Sequence, residues 1–325
     1  MEAFEYANPT TLPEAFKQLG ASWADAQVLA GGTDLISLMK EDIVSPKRVV
    51  NIKSIAALHG ISQGAQGLRI GATTTFDEIA SNAVVRAQYP SISTAVLGIT
   101  SPQIRNMGTA GGDLCQRPRC WYFRSGFGLL GMQDGKSLIT GGENRYHAIF
   151  GGGPAYFVSP SSLGPALVAL GAKVKLQSAT GTRTVDAAKF FLAPSDPNAR
   201  EVDLKPEEIL TEIVIPAAAG VKNATYEIRH REAFDWPLAT ASVALKMSGG
   251  KVASAKIVLG HVAPMPWDAE KAGEWLKGKT ISAETAEQAG AAAVEGAQPL
   301  SQNEYKVQLA KVAVKRALLA AAGKA

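Results

Sequence analysis

The sequence predicts an α+β chain of three parts, and three observations carry that reading. Short apolar runs alternate quickly with helical patterns through the first 215 residues. Glycine becomes dense over residues 101–153, and the last third sets three strands ahead of three helices. With 325 residues, 46% of them hydrophobic, the chain is long enough for two or three cores, so a disordered or fibrous polypeptide is excluded.

Taken in order, Gln27-Val28-Leu29-Ala30 is an apolar run stopped by Gly31-Gly32, and apolar positions recur at helical spacing from Asp34 to Lys40, which reads as strand, glycine turn, helix. Arg48-Val49-Val50-Asn51-Ile52 and Gly67-Leu68-Arg69-Ile70-Gly71-Ala72 are short strand-like runs. Thr75-Phe76-Asp77-Glu78 has the Thr-x-x-Glu form of a capping box and opens a helix. Residues 101–153 show only weak periodicity, around 117–124 and 126–142, and read as a long ordered loop or insertion. Long structureless loops inside compact domains are uncommon and often functional. A helix is expected over 161–172, carrying Leu163, Leu167 and Leu170, then strands at 173–176 and Ile209–Ile215, the latter ending at Pro216. Ala217-Ala218-Ala219-Gly220 reads as a linker. Beyond it, runs at 226–229, 240–247 and 252–259, with Ser248-Gly249-Gly250 as a tight turn, form an antiparallel meander. Helices follow at 269–276, 282–295 and 304–322. The last is expected to be opened by a second capping box, Ser301 to Glu304, with Val307, Ala310, Val314, Leu318 and Ala321 on one face. No internal repeat is evident.

Composition narrows the function. Lys+Arg 33 against Asp+Glu 29 gives a formal charge of +4, but the basic residues are scattered rather than clustered as a phosphate-backbone track requires, so no nucleic-acid partner is expected. No apolar stretch approaches the ~20 residues needed to cross a bilayer, and the opening MEAFEYANPTTLPEAF lacks a cationic end and apolar run, so a cytoplasmic location is expected, with co-export beside a partner as the alternative. Two cysteines, Cys115 and Cys120, are too few for a disulfide framework or a four-thiolate metal site. The four histidines, His59, His147, His230 and His261, lie far apart, which gives a zinc site or a nucleophilic triad no support. The chemistry is therefore expected from a bound organic cofactor, with no catalytic side chain and no metal ligand in this chain.

Two glycine pairs stand out, Ala30-Gly31-Gly32-Thr33-Asp34 and Thr109-Ala110-Gly111-Gly112-Asp113. Successive glycines let backbone N–H groups converge on an anion, and a following helix N-terminus adds to the field. Each pair alone is more often a plain turn, and neither matches a dinucleotide GxGxxG fingerprint or a P-loop.

In combination the motifs resemble the flavin-binding medium subunit of the molybdenum hydroxylases, the xanthine dehydrogenase, aldehyde oxidoreductase and carbon monoxide dehydrogenase family. The resemblance spans nearly the whole chain. It is carried by Phe4 to Phe16, by Val28 to Leu35 with its AGGTDL loop, by Ser101 through Cys115 with the second glycine loop, by Ser159-Pro160-Ser161-Ser162-Leu163-Gly164-Pro165-Ala166-Leu167, and by Ile213 to Pro216 leading to Trp236-Pro237. It implies a two-subdomain FAD-binding fold of the PCMH type, residues 1–55 and 56–217 with the glycine-rich insertion 116–153, and an α+β C-terminal flavoprotein domain, 218–325. It places non-covalent FAD against Leu29, Ala30, Gly31, Gly32, Thr33, Asp34 and Leu35, and against Ser101, Thr109, Gly111, Gly112 and Asp113, with Ile209 as an apolar flavin contact. Backbone amides and the Thr33 and Thr109 hydroxyls would donate to the diphosphate. No histidine lies beside either loop to tether the flavin.

The implied function is electron transfer. A large subunit with a molybdenum cofactor and a small subunit with two [2Fe–2S] clusters would feed electrons to this chain's FAD for an external acceptor, in a heterotrimer or a dimer of heterotrimers. The alternatives are a free-standing FAD-dependent oxidoreductase and a flavin-free structural subunit of the same complex. Two departures motivate the last. Asp113 replaces the usual asparagine, and Ser162 replaces the aspartate expected to accept from the adenosine ribose. Some relatives hold a [4Fe–4S] cluster in the insertion through four cysteines; with only Cys115 and Cys120 here, no cluster is expected. Trp121, Tyr122, Phe123, Tyr146 and Phe150, beside Arg117, Arg119, Arg124 and Arg145, read either as a docking face or as a local loop core. The segment from Arg229 through Glu232 to Phe234 and Trp236-Pro237 resembles one at the flavin end of the C-terminal domain.

Overall fold

The computed structural model describes residues 1–99, 101–231 and 235–324. Glu232 and Phe234 of the expected flavin-end segment lie outside the described residues. The first unit is a small parallel sheet in which Arg48–Asn51 runs between Glu5–Ala7 and Ala26–Leu29. Parallel pairing requires crossovers, and helices Leu12–Gln18 and Leu35–Lys40 lie on them. The first of these helices has its own capping box, Thr11 with Glu14, inside a stretch whose sequence we read only by resemblance.

The second unit is a five-stranded antiparallel sheet with Ile209–Ile215 at its centre. That strand has Gly67–Gly71 on one side and Lys173–Ser178 on the other; Ile61–Gly64 and Gly181–Asp186 form the edges. Ile209, Ile213 and Ile215 are buried, as a central strand demands. Helices Phe76–Ser81, Ala83–Gln88 and Pro90–Leu97 cover the sheet through Phe76, Ile79, Val85 and Ile92, and the expected Thr75–Glu78 capping box opens the first of them.

In the third unit, Val221–Ile228, Ala239–Ser248 and Lys251–Gly260 form the expected antiparallel meander, extended by the short strand Trp267–Asp268. Gly249 and Gly250 both take positive φ between Ser248 and Lys251, the two-residue turn that suits right-twisted strands. Helices Glu270–Leu276 and Tyr305–Ala321 pack on the sheet, burying Ala310, Val314 and Leu318, and Ala283–Ala293 packs against these two helices.

Three local expectations are corrected. Helix Tyr305–Ala321 has no side-chain cap; the Ser301 hydroxyl accepts instead from Asn144 Nδ2 at 3.0 Å. The capping box of this unit lies at Ser282 and Thr285. The helix expected over 161–172 covers only Gly164–Ala169, because the Ser162 and Leu163 amides turn to the Asp113 carboxylate. Finally, residues 101–153 are not uniformly loop. They contain helices Pro102–Met107, Ala110–Cys115 and Trp121–Arg124 and a hairpin, Met132–Gln133 with Lys136–Ser137.

The insertion has its own core, Phe123, Leu129, Leu130, Ala155 and Phe157 with Leu38 of the first unit. It is also pinned to the last helix. The buried Lys306 ammonium donates to the carbonyls of Tyr146, His147 and His261 at 3.0, 3.2 and 2.6 Å, and Asn303 Nδ2 donates to those of His147 and Ala148. Burial pulls Lys306 down to about 7, while three acceptors matched to its three N–H groups favour the charged form. Among the described residues, no helix is long and apolar enough to cross a membrane.

Candidate functional site

The carboxyl end of strand Ala26–Leu29 opens into Gly31-Gly32, and the helix beginning at Leu35 leads away from it. Gly32 has φ +75, a left-handed conformation that favours glycine. At Gly31, a Cβ would lie 1.8 Å from the Met107 carbonyl oxygen, so the absence of a side chain lets the first loop rest directly on the backbone leading into the second. The consequence is a row of donors. Among the described residues, no acceptor takes the amide hydrogens of Gly31, Gly32, Thr33, Asp34 or Leu35. Five consecutive unused amides are costly if dry and form an anion-binding concavity if filled.

The second loop differs from expectation. The Ala110 and Gly111 amides donate to the carbonyls of Thr74 and Ala72, the Asp113 amide to that of Thr109, and the Gly112 amide to the Thr109 hydroxyl oxygen. These four are therefore spent inside the protein, and only the amide and hydroxyl hydrogens of Thr109 remain to serve a ligand. The absence of a side chain at Gly111 answers to packing, since a Cβ there would approach that of Ala72 to 2.9 Å.

Both loops border one cavity, open to solvent, with about 1370 Å³ of empty space including its mouth. Of the residues expected at the cofactor, Ala30, Gly31, Gly32, Thr33, Asp34, Leu35, Thr109, Gly111, Gly112, Asp113 and Ile209 line it. Leu29 and Ser101 do not. Leu29 ends its strand, and the Ser101 hydroxyl is taken up in capping helix Pro102–Met107, where it accepts from the Ile104 amide at 3.1 Å.

The two acidic residues of the loops border the cavity but spend their charge on the scaffold. Asp34 accepts from the Arg117 amide at 2.8 Å and from Arg124 at 2.7 Å, and pairs with Arg119 at 3.2 Å. Asp113 accepts from the Ser161 hydroxyl, from the Ser162 and Leu163 amides, and from Gln116 Nε2. Burial pushes its carboxyl up to about 6 against the pull of those bonds. The carboxylate is thus turned from a would-be anionic ligand toward other donors, and Ser162 stands on the same cavity wall.

Sequence reasoning missed most of the cationic side of the cavity, of which it had marked only Arg229 and the neighbouring Trp236. Arg117, Arg119, Arg200 and Arg229 all line it, with Trp23 and Trp236. Arg119 lies over the Trp236 ring and Arg200 over that of Trp23, at 4.9 and 4.3 Å. Arg117 and Arg119 had been noted only as parts of the insertion, and Arg200 sits in a loop with no motif to mark it. Arg229 is held by the buried Glu227, whose carboxyl burial pushes up to about 7. For the insertion, a local loop core describes Arg117, Arg119 and Arg124, which turn inward, whereas Tyr146 and Phe127 are exposed. Cys115 lines the cavity, and burial pushes its thiol up to about 12. Cys120 contacts His147 Nε2 at 3.1 Å. Among the described residues, no three His, Cys, Asp or Glu side chains converge as metal ligands.

The arrangement suits a long ligand with an anionic centre and flat, apolar ends. A family model described as the FAD binding domain in molybdopterin dehydrogenase matches residues 2–218. The chain belongs to the FAD-binding medium subunits of the molybdenum hydroxylases. A second model, the CO dehydrogenase flavoprotein C-terminal domain, matches residues 224–321 of this medium subunit. It is 30% identical to the carbon monoxide dehydrogenase medium chain of Hydrogenophaga pseudoflava over 98% of this chain and 96% of that one. It is also 30% identical to the aldehyde oxidoreductase FAD-binding subunit of Escherichia coli K12, with 96% of each covered. A chain in the crystal structure of quinoline 2-oxidoreductase from Pseudomonas putida 86 superposes with a TM-score of 0.78 at 27% identity, covering 99% of this chain and 98% of that one. The medium subunit is accordingly an FAD-dependent oxidoreductase component with the α+β fold expected from its sequence.

Proposed function

We propose that this medium subunit carries non-covalent FAD between its first two units, 1–55 and 56–217, under the third, and passes electrons from [2Fe–2S] clusters of a small partner subunit to an external acceptor. A large partner with the molybdenum cofactor would supply those electrons, in a heterotrimer or a dimer of heterotrimers. The observation that carries the reading is the row of five unused amides, Gly31 to Leu35, on a cavity whose wall also carries the guanidiniums of Arg117, Arg119, Arg200 and Arg229.

When bound, FAD supplies the exchange of electrons between one-electron and two-electron partners. The chain's own residues bind and orient. The amides of the first loop, with the Thr33 and Thr109 hydroxyls, donate to the diphosphate, and the Asp34–Arg124 pair holds that loop against the insertion. Ile209, continuous with the first unit's core, gives the ring an apolar contact. No general acid or base is called for by electron transfer, and none is assigned.

Co-expression with the partner subunits, followed by an absorption spectrum, acid release of the cofactor and iron analysis of the separated chain, tests this reading. One FAD per chain released without denaturant-resistant attachment, and bleaching of the flavin bands by the complex's substrate, are expected. A colourless chain within an intact complex would sink the proposal.

A further inference from the structure

Four guanidiniums gather beside the first glycine loop, and three of them have anionic partners. Arg124 and Arg119 share Asp34, and Arg117 Nε is in ion-pair contact with Glu201 at 2.5 Å. Arg200 is the exception. Among the described residues its guanidinium has neither a hydrogen-bond nor an ion-pair partner, and its Nε is shielded from solvent. Burial first, and then the like-charged Arg117, pull it down to about 10 against the opposing effect of Glu201 and Asp34, and it stays cationic at neutral pH. A solvated cation needs no partner, but a half-buried one on a cavity wall, with its Nε shielded from water and no hydrogen-bond acceptor, gains when an anion joins it. Asp34 and Glu201 pair with the other three arginines, and Glu41 and Asp113 also act on Arg119, so it is Arg200 whose positive charge lacks a bonded counter-charge that a diphosphate would supply.

The geometry points to Arg200 as a ligand of the FAD diphosphate, on the cavity also lined by Gly31 to Leu35, with its guanidinium 4.3 Å from the Trp23 ring and the Arg117–Glu201 pair among its neighbouring charges. This rests on the FAD reading above. Arg200 supplies charge where the second glycine loop, left with only the Thr109 amide and hydroxyl hydrogens, has few donors to offer. A planar guanidinium can take two phosphate oxygens at once, so the residue also selects dinucleotide over mononucleotide or free flavin.

The test uses the full-length chain stripped of flavin, with wild type, R200Q and R200K titrated by FAD, riboflavin and ADP, and with thermal melts of each apoprotein. R200Q is expected to bind FAD about ten- to a hundredfold more weakly, with a shallower salt dependence. ADP should lose its competition with FAD, riboflavin binding should stay unchanged, and R200K should recover part of the loss. Because the apoprotein stores an unpaired cation, R200Q should melt no lower than wild type without ligand. FAD binding within twofold of wild type would overturn the assignment, as would equal weakening of FAD and riboflavin or a lower apoprotein melt, since both mark a structural role. A wild-type chain that takes up no FAD would instead overturn the proposed function.

Discussion

Asp34 Oδ1 accepts from the Arg124 guanidinium at 2.7 Å across 90 residues of chain. The residue that follows the first glycine loop therefore fastens the insertion, and the insertion in turn fixes where that loop stands. Asp34→Ala leaves the Arg117 amide and two guanidiniums without their acceptor, a loss of about 2–4 kcal/mol. Limited proteolysis should then cut within 116–153 faster than in wild type, and flavin content should fall. Unchanged cleavage would show that the insertion stands without this anchor.

Gly31→Ala and Gly111→Ala should differ in severity. The first places a Cβ 1.8 Å from the Met107 carbonyl oxygen, backbone that cannot yield without moving the second loop; the second meets rigid atoms too, the Ala72 methyl at 2.9 Å and its carbonyl oxygen at 3.1 Å, but overlaps them far less deeply. Gly31→Ala is expected to abolish flavin retention and cost more than about 2 kcal/mol, and Gly111→Ala to cost less. Flavin per chain and urea midpoints of the two variants give the ranking.

Asp113 makes stability depend on pH. Burial pushes its folded carboxyl up to about 6 from the ordinary 3.8, so between those values the folded chain holds a proton that the unfolded chain has released. More protons on the folded state means that stability falls as pH rises through this window, by a few kcal/mol in all. Asp113→Asn should flatten that slope, checked by urea unfolding at pH 4 and pH 7. A slope identical to wild type would assign the dependence to other groups.

Cys115 and Cys120 should both be sluggish thiols. Burial raises each, Cys115 to about 12, so little thiolate exists at pH 8. A disulfide-exchange reagent is expected to label the native chain slowly and the unfolded chain at once. Rapid native labelling would contradict the burial of these side chains.

How far the sequence reached depends on what each element is made of. Ile209–Ile215 and the meander were legible because β-branched and apolar residues alternate there between clear turn residues, as at Gly249-Gly250. Helix Ala110–Cys115 was not, since Ala-Gly-Gly has poor intrinsic propensity and the helix is held by the Thr109 cap and by burial against Ala72. The Ser301 capping motif misled for a related reason: a long-range partner, Asn144, outcompeted the local amide. At the site, motif reading found the first loop but could not tell that the second loop's amides were spent, because their acceptors, Ala72, Thr74 and Thr109, are set by tertiary contact. Arg200 carries no pattern at all; only its placement makes it conspicuous.

The pinning of residues 144–148 by Ser301, Asn303 and Lys306 has a bearing on biosynthesis. Partners some 155–160 residues apart cannot meet until residues 301–306 have left the ribosome, so the insertion, and with it the Asp34 side of the flavin cleft, is pinned late in synthesis. Flavin retention is then expected to follow the emergence of that segment, and nascent chains arrested before residue 300 should emerge without flavin.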